Sequence, residues 1–529
     1  EIASLRVFRL LNMVLWLGGT LSAKATQSMA LRAALLPAIA RSLHVDSPPH
    51  KPSLTTSYVH GTSTFPLLPL TVGQSLDNTV QRWPDREAVV FLQDGIRKTF
   101  AQFQQDASLN PAYQVKEVEF TLNKVQCKAV VCPTHFKTQK FCEMLREICP
   151  EIDLTPAGMV KSSRVPDLRM VIVTDSRQPG MLHVEDVMQA GESRHHKELM
   201  DLQSKLSFDD PINIQFTSVT FSIAPFTMAY IKSIFMAMHG IKLVFPSPGY
   251  SSLANLEAIQ SEKCNIVYGT PTMFTDLLSQ PELHKYDLSS IEAGIMAGSP
   301  CPPEIVRKLR TDLNMKEITV TYGTTENSPI TFLGFPQDNE ELKINTVGCI
   351  MSHTEAKVVD PTTGEIVPLG TSGELMIRGS CVMHGYWADP EKTGEVISQD
   401  RWYRTGDTAS LNSLGYCRIE GRIKDMIIRG GENIYPAEIE QFLYTHPKVQ
   451  EVQVVGVKDE RLGEQVCACI RLKEGHISST EEIRAFCKGQ ISHFKIPHYV
   501  IFVDSYPLTV SGKIKKNILK QDMEKKLGL

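Results

Sequence analysis

Long apolar runs are missing from this 529-residue chain. The uncharged stretch 211–231 contains Asn213, Gln215 and a central Pro225, which make a lipid-embedded helix untenable there, and no span qualifies as a membrane helix. Also lacking is an excess of either charge. The 55 Lys plus Arg against 59 Asp plus Glu give a formal net charge of -4, which argues against nucleic acid as a partner. The twelve cysteines, from Cys127 to Cys487, include no Cys-x-x-Cys pair and no His–Cys cluster at zinc spacing, so they read as reduced thiols. Internal repeats and low-complexity tracts are missing too. What is present, 42% hydrophobic and 22% charged residues, is the balance of a globular multidomain protein about three times the size of a typical domain, and an enzyme is the leading class.

The chain opens on Glu1 rather than Met, so its true start is expected upstream. Acidic residues are missing between Glu1 and Asp46, where Arg6, Arg9, Lys24, Arg32 and Arg41 are basic. That pattern, with a short helix expected over 29–43, reads as a transit segment for the mitochondrial matrix. A secretory signal is the rival reading, with Arg6 and Arg9, the apolar run 10–17, and Ala23-Lys24-Ala25 as its cleavage site. Residues 46–69, rich in Pro, Ser and Thr, form a linker into the folded body.

Short β-branched runs at 169–174, 242–245, 265–268 and 317–321 predict buried strands of a mostly parallel sheet. Helical spacing at 253–262 and 302–313 alternates with them, an α/β pattern. After Gly348 the pattern turns to hairpins at 355–360, 374–378 and 416–420, with a turn at Pro361-Thr362-Thr363-Gly364. Strands at 452–457 and 465–472 and helices at 437–445 and 480–488 then make a small mixed unit. A boundary near 421–425 divides the chain into a leader and linker (1–50), a large domain (51–421) and a small one (422–529).

Four motifs carry chemistry. Tyr322-Gly323-Thr324-Thr325-Glu326 follows a buried strand, where open α/β sheets place ligands. An aromatic ring, two hydroxyls and a carboxylate there can stack a base, bond a phosphate and hold a hard cation, although an ordinary Gly/Thr turn looks similar. In Trp402-Tyr403-Arg404-Thr405-Gly406-Asp407 the last residue is placed to accept ribose hydroxyls or to make an Asx turn. The charged stretch from Gly421 to Glu438 holds Arg422, Asp425 and the pair Gly430-Gly431, and reads as a ligand-facing loop. In Ser511-Gly512-Lys513 a flexible dipeptide delivers one ammonium, a suitable phosphate partner. The neighbouring Lys515, Lys516 and Lys520 read as a solvated helix face.

In this order and spacing the four motifs resemble the adenylate-forming superfamily, specifically its acyl-CoA synthetases, from about Gly73 to Leu529. The resemblance implies an α/β fold: a large amino-terminal domain of two α/β halves plus a small β-barrel, and a smaller mobile α+β carboxy-terminal domain. It implies ATP, Mg2+ and coenzyme A, a fatty-acid substrate, and two steps, formation of acyl-AMP and its capture by the thiol of coenzyme A. Tyr322 and the Gly298-Ser299-Pro300 turn then flank adenine, and Thr217, Ser218, Gly323, Thr324 and Thr325 belong to the nucleotide loops. Glu326 is the magnesium ligand, Asp407 binds ribose, Arg422 contacts nucleotide and Asp425 is the hinge. Lys513 is the adenylation lysine, and Gly430 and Gly431 replace it in the second step. Whether the chain forms a homo-oligomer stays open, and so does acyl length. The stretch 226–245 reads either as pocket lining or as plain core.

Two departures from the family pattern stand out. A Gly-rich phosphate loop ending in Pro-Lys-Gly should follow the strand expected at 212–216, but after Thr217-Ser218 the chain runs Val219-Thr220-Phe221-Ser222-Ile223-Ala224-Pro225. Bulky Val219 and Phe221 do not permit the close backbone approach that glycine gives. The helix that starts at Phe100 is likewise cut after Ala107-Ser108 and the pattern resumes at Asn110. A spliced transcript or a mis-joined gene model would leave such edges. Losing two or three charge-assisted bonds to phosphate, each worth ~1.5–3 kcal/mol, removes roughly 3–9 kcal/mol. If lost in the transition state, that slows adenylation by about two to six orders of magnitude. An impaired ligase, or a non-catalytic relative that binds nucleotide or acyl ligand or pairs with an intact copy, is the expectation for this chain.

Overall fold

The computed structural model describes residues 54–103, 115–124, 126–135, 140–207, 236, 238–247, 250–299, 301–508 and 514–529. The leader, the strand expected at 212–216, Thr217, Ser218, Pro300 and Lys513 lie outside the described residues, as do both junctions.

The sheet that positions the first motif has three parallel strands, Ile266–Gly269, Ala293–Met296 and Glu317–Tyr322, extended by the antiparallel Phe332–Leu333 and Cys349–Ile350. Helices Ser252–Glu262, Pro271–Leu278 and Pro303–Asp312 pack on it. Their starts follow from local chemistry. The Ser251 and Thr270 hydroxyls accept from the Ala254 and Met273 amides, and Pro271 and Pro303 preset the first turn. Leu256, Phe274, Met296, Leu309 and Ile318 close the core between the layers. Among the described residues the pattern that reads as one mostly parallel sheet falls into three. Glu87–Phe91 with Ile96–Thr99 and Leu243–Phe245, and Ala129–Cys132 with Met170–Val173 and Leu182–His183, form separate three-stranded sheets. Met236 and Leu243 are buried against Phe100 and Phe245 stacks on Phe91 at 5.1 Å, so these residues of 226–245 belong to the core.

The hairpin region is a five-stranded antiparallel sheet in the order Tyr58–His60, Thr354–Val359, Gly373–Gly379, Tyr403–Leu411, Cys417–Arg422. In its second turn Asp360 Oδ1 accepts from the Thr362 and Thr363 amides, and Gly364 takes φ +76°. Beyond Arg422 a further sheet orders Glu432–Ile434, Ile427–Arg429, Gly463–Leu472 and Val449–Asp459, with Tyr499–Phe502 parallel to Gly463–Leu472. Helices Pro436–Leu443 and Thr480–Cys487 bury Ile439, Leu443 and Ile483 in one core with it, and Lys516–Leu527 packs Leu519 and Met523 into a second. All twelve cysteines are free thiols. Among the described residues no helix is long and apolar enough to cross a membrane.

One sequence expectation is corrected here: Lys516 and Lys520 are not a solvated face. Lys516 Nζ lies 2.6 Å from Glu440 Oε1, and Lys520 Nζ 2.7 Å from Glu464 Oε1. Glu440 is buried and also accepts from the Val454 amide at 2.8 Å, so one carboxylate ties two helices to a strand. Removing it strands a half-buried ammonium, and Glu440→Ala should cost about 3–5 kcal/mol. Urea unfolding of the variant, followed by a probe on the carboxy-terminal sheet, checks this; a shift below about 1 kcal/mol would place the ion pair among the weak surface ones.

Candidate active site

Parallel pairing puts two loops at one end of a sheet. Ala293–Met296 leads into Gly298-Ser299 and Glu317–Tyr322 leads into Gly323–Glu326, from adjacent strands running the same way. Gly298 takes φ +97°, and Gly298 and Ser299 are exposed. Gly323 is obligatory for a different reason. A Cβ there would lie 1.9 Å from the Pro329 carbonyl oxygen, because the loop returns to pair the Thr331 amide with the Tyr322 oxygen at 2.8 Å. Thr324 precedes a short 3-10 turn, Thr325–Asn327, which presents Thr325 and Glu326.

The second motif reaches the same place by a bulge. Along Tyr403–Leu411, Arg404 pairs with Met376 and Thr408 with Glu374, so three residues oppose the single Leu375. Gly406 supplies the φ of +68° that this needs, and Thr405 Oγ1 anchors the bulge by donating to the Leu375 oxygen at 2.8 Å. Asp407 is thereby turned toward Tyr322. Its side chain is 6% exposed and the carboxylate takes two donors: Tyr322 Oη at 2.5 Å on Oδ2 and Arg422 Nε at 2.8 Å on Oδ1. Arg422 is its directly opposed partner on the next strand. The residues expected to hold adenine, ribose and nucleotide are thus in mutual contact.

Two tyrosines that the sequence reading assigned no role complete the group. Tyr386 Oη donates to Glu326 Oε1 at 3.2 Å, and Tyr403 lies against Thr324 within reach of the Glu326 charge. Burial and that charge push both phenols up from their usual pKa. Tyr403 stands inside a motif already singled out. Tyr386 sits in His384-Gly385-Tyr386-Trp387, and its signal is an aromatic pair after glycine in a loop between a strand and a helix. With Pro390, Thr393 and Gly394 the same loop lines a shallow, open depression.

Other expected residues lie apart from the cluster. Asp425 closes the short 3-10 turn Ile423–Asp425 after Arg422, and its charge is felt at Asp407. Gly430 and Gly431, at φ +59° and +89°, make the tight turn between Ile427–Arg429 and Glu432–Ile434. Among the described residues that turn is tied to Leu462 and Gly463, not to Tyr322 or Asp407. Among the described residues no group of three or more His, Cys, Asp or Glu could hold a metal. A cation here would have to share its shell with the substrate. Hard oxygen donors, Glu326 foremost, suit magnesium held in that way by one carboxylate and phosphate oxygens.

Burial pushes the Asp407 carboxyl above its ordinary pKa, against the opposing pull of Arg422 and Tyr322. A carboxyl raised on folding binds its proton more tightly in the folded state. Its contribution is therefore full below the unfolded value of ~3.9 and is lost as pH rises through the folded one. Asp407→Asn, neutral at every pH, should gain stability relative to the wild type as pH rises from about 4 upward. Urea midpoints of both proteins across that range test this, and a pH-independent gap between them would contradict it.

Comparison with known proteins identifies the family. Residues 219–387 match the model of the AMP-binding enzyme family and 438–513 that of the AMP-binding enzyme C-terminal domain. The mitochondrial medium-chain acyl-CoA ligase ACSF2 of Danio rerio is 55% identical, with 92% of this chain and 94% of that protein covered. The Homo sapiens protein of the same name is 44% identical, over 97% of each chain. The Danio alignment runs over 568 positions, more than the 529 residues available here, so the relative carries segments with no counterpart in this chain. An anthranilate CoA ligase, AuaEII, solved with anthranoyl-AMP, shares the fold at a TM-score of 0.71 and 21% identity, over 88% of this chain and 99% of its own. Identity this high, sustained over nearly the whole length of both chains, makes this chain a member of the AMP-binding enzyme family, alongside the mitochondrial medium-chain acyl-CoA ligases.

Proposed function

We propose that this chain is built as an ATP-dependent acid–thiol ligase for a fatty, medium-chain carboxylic acid, with its first step weakened by the lost phosphate loop. The contact that joins Tyr322, Asp407 and Arg422 beside Glu326 supports this reading most. A carboxylate oxygen of the acid attacks the α-phosphorus of ATP, pyrophosphate leaves, and the thiol of coenzyme A then displaces AMP from acyl-AMP. Asp407 would accept ribose hydroxyls on lone pairs not used by Tyr322 and Arg422, and the Tyr322 ring would meet adenine with the Gly298-Ser299-Pro300 turn. Thr217, Ser218, Thr324 and Thr325 would bond phosphate. Magnesium, held by Glu326 and the phosphates, would offset negative charge on the phosphoryl oxygens. Lys513 would do the same from the small domain.

The division into 51–421 and 422–529, with Asp425 as hinge, belongs to this proposal, as does the exchange of Lys513 for Gly430-Gly431 between steps. In support, Arg422 ends one sheet and Ile427–Arg429 begins another. The relatives' names place them in mitochondria, which favours a matrix address over a secretory one for the Arg-bearing leader. The non-catalytic alternative, a nucleotide- or acyl-binding relative or a partner for an intact copy, is favoured by one observation, the alignment that outruns the chain.

Labelled-ATP binding followed by a thioester assay separates the two readings. The expected result is binding with acyl-CoA formation about two to six orders of magnitude below that of an intact relative. Robust fatty-acid-dependent ATP–pyrophosphate exchange by the purified chain would defeat the impairment. In a version with both segments restored, Lys513→Ala should cripple acyl-AMP formation and spare thioester formation from supplied acyl-AMP; equal loss in both halves would refute the exchange of linings.

A further inference from the structure

Glu326 stands on a turn of three residues, and a carboxylate on so short an element needs an outside group to fix its orientation. The loop from Met383 to Ala388 supplies two contacts: the Met383 amide donates to the Glu326 main-chain oxygen at 2.8 Å, and Tyr386 Oη to Oε1 at 3.2 Å. That loop is itself pinned on three sides. The Arg401 guanidinium donates to the Met383 and His384 oxygens at 2.9 and 3.3 Å. The Tyr386 amide donates to Thr393 Oγ1 at 2.9 Å, and Gly385 has no room for a Cβ, which would meet the Thr393 side chain at 2.8 Å. Trp387 Nε1 donates to the Lys124 oxygen at 3.0 Å, and Lys124 Nζ returns to the Ala388 oxygen at 3.2 Å. A phenol so held is already oriented before any ligand arrives.

Resting on the nucleotide-site reading above, we propose that Tyr386 is a positioning residue for Glu326. Its hydroxyl holds Oε1 and so presents Oε2 to the cation that accompanies the nucleotide's phosphates. The role resembles that of the outer hydrogen bonds that orient carboxylate ligands in metal sites, whose loss weakens metal binding without changing the ligand. Tyr386 touches neither phosphate nor acid in this scheme; it acts through the carboxylate.

The test uses the full-length chain, Mn2+ as the probe, and a non-hydrolysable ATP analogue, with bound metal read by electron paramagnetic resonance. Tyr386→Phe keeps the ring and removes only the hydroxyl. It should raise the Mn2+ concentration for half-saturation of the nucleotide complex about five- to tenfold. The metal-free affinity for the analogue and the thermal midpoint should not move, as they would if the residue merely supported the fold. In a Glu326→Gln background, already weak for metal, the same change should have no further effect. Unchanged Mn2+ binding in Tyr386→Phe, or an equal loss in both backgrounds, overturns the inference and leaves the nucleotide-site reading intact. No metal-dependent nucleotide binding in the wild-type chain overturns that reading, and the inference with it.

Discussion

The site is organised around one buried carboxylate. Asp407 is withdrawn from water, and an ionised group there is tolerable only if its oxygens are occupied. Tyr322 and Arg422 occupy them, and they come from different layers: Tyr322 ends the parallel sheet, whereas Asp407 and Arg422 belong to the antiparallel one. The carboxylate therefore acts as a rivet between sheets whose strands are far apart in the chain. Removing either donor leaves a charge that neither sheet can neutralise. The bulge at Thr405–Asp407 and the glycine at 406 exist to deliver that one group, since an unbroken ladder would keep Asp407 in register on its own sheet.

That rivet separates what the chain has kept from what it has lost. Under the proposed function, base and ribose recognition would depend on Tyr322 and Asp407, which are in contact. Phosphate handling would depend on a Gly-rich loop that the sequence from Val219 to Pro225 does not supply. The two losses weigh differently. Contacts to the nucleoside act about equally in ground and transition states, whereas donors aimed at the α-phosphate matter most as charge develops there. Under the proposed function, a chain with the first set and without the second holds adenylates better than it makes them. An acyl-AMP supplied from elsewhere would then be the natural ligand of a protein in this condition.

Much of this was legible before any coordinates, and the reasons are local. β-Branched runs between Gly and Pro signals give Glu317–Tyr322 and Gly463–Leu472 to within two residues, because a strand buried on both faces has few other compositions. Pro302 and Pro303 mark a helix start for equally local reasons. Partners distant in sequence are another matter. Nothing in helical spacing tells that Lys516 faces Glu440, 76 positions earlier, so a buried ion pair reads as a solvated face. Tyr322 and Asp407, 85 positions apart, come together only through the family resemblance. For Tyr386 the aromatic pair after Gly385 marks a loop and no more, and only the folded loop reveals its bond to Glu326.

The loop that carries Tyr386 also connects two regions the sequence treats separately. One end is bonded to Glu326, and the other to the carbonyl of Lys124, the last residue of helix Val115–Lys124. That helix follows directly on the first of the two junctions at which the family pattern breaks. Hydrogen bonds of ordinary strength, each worth about 1 kcal/mol net, orient a carboxylate only while their own anchor stays fixed. Under the proposed function, helix Val115–Lys124 and the loop that leans on it would bear on the reaction through the geometry of Glu326, and the altered stretch 219–225 through donors to phosphate. Restoring the phosphate loop would then add donors beside a carboxylate that the loop from Met383 to Ala388 already orients.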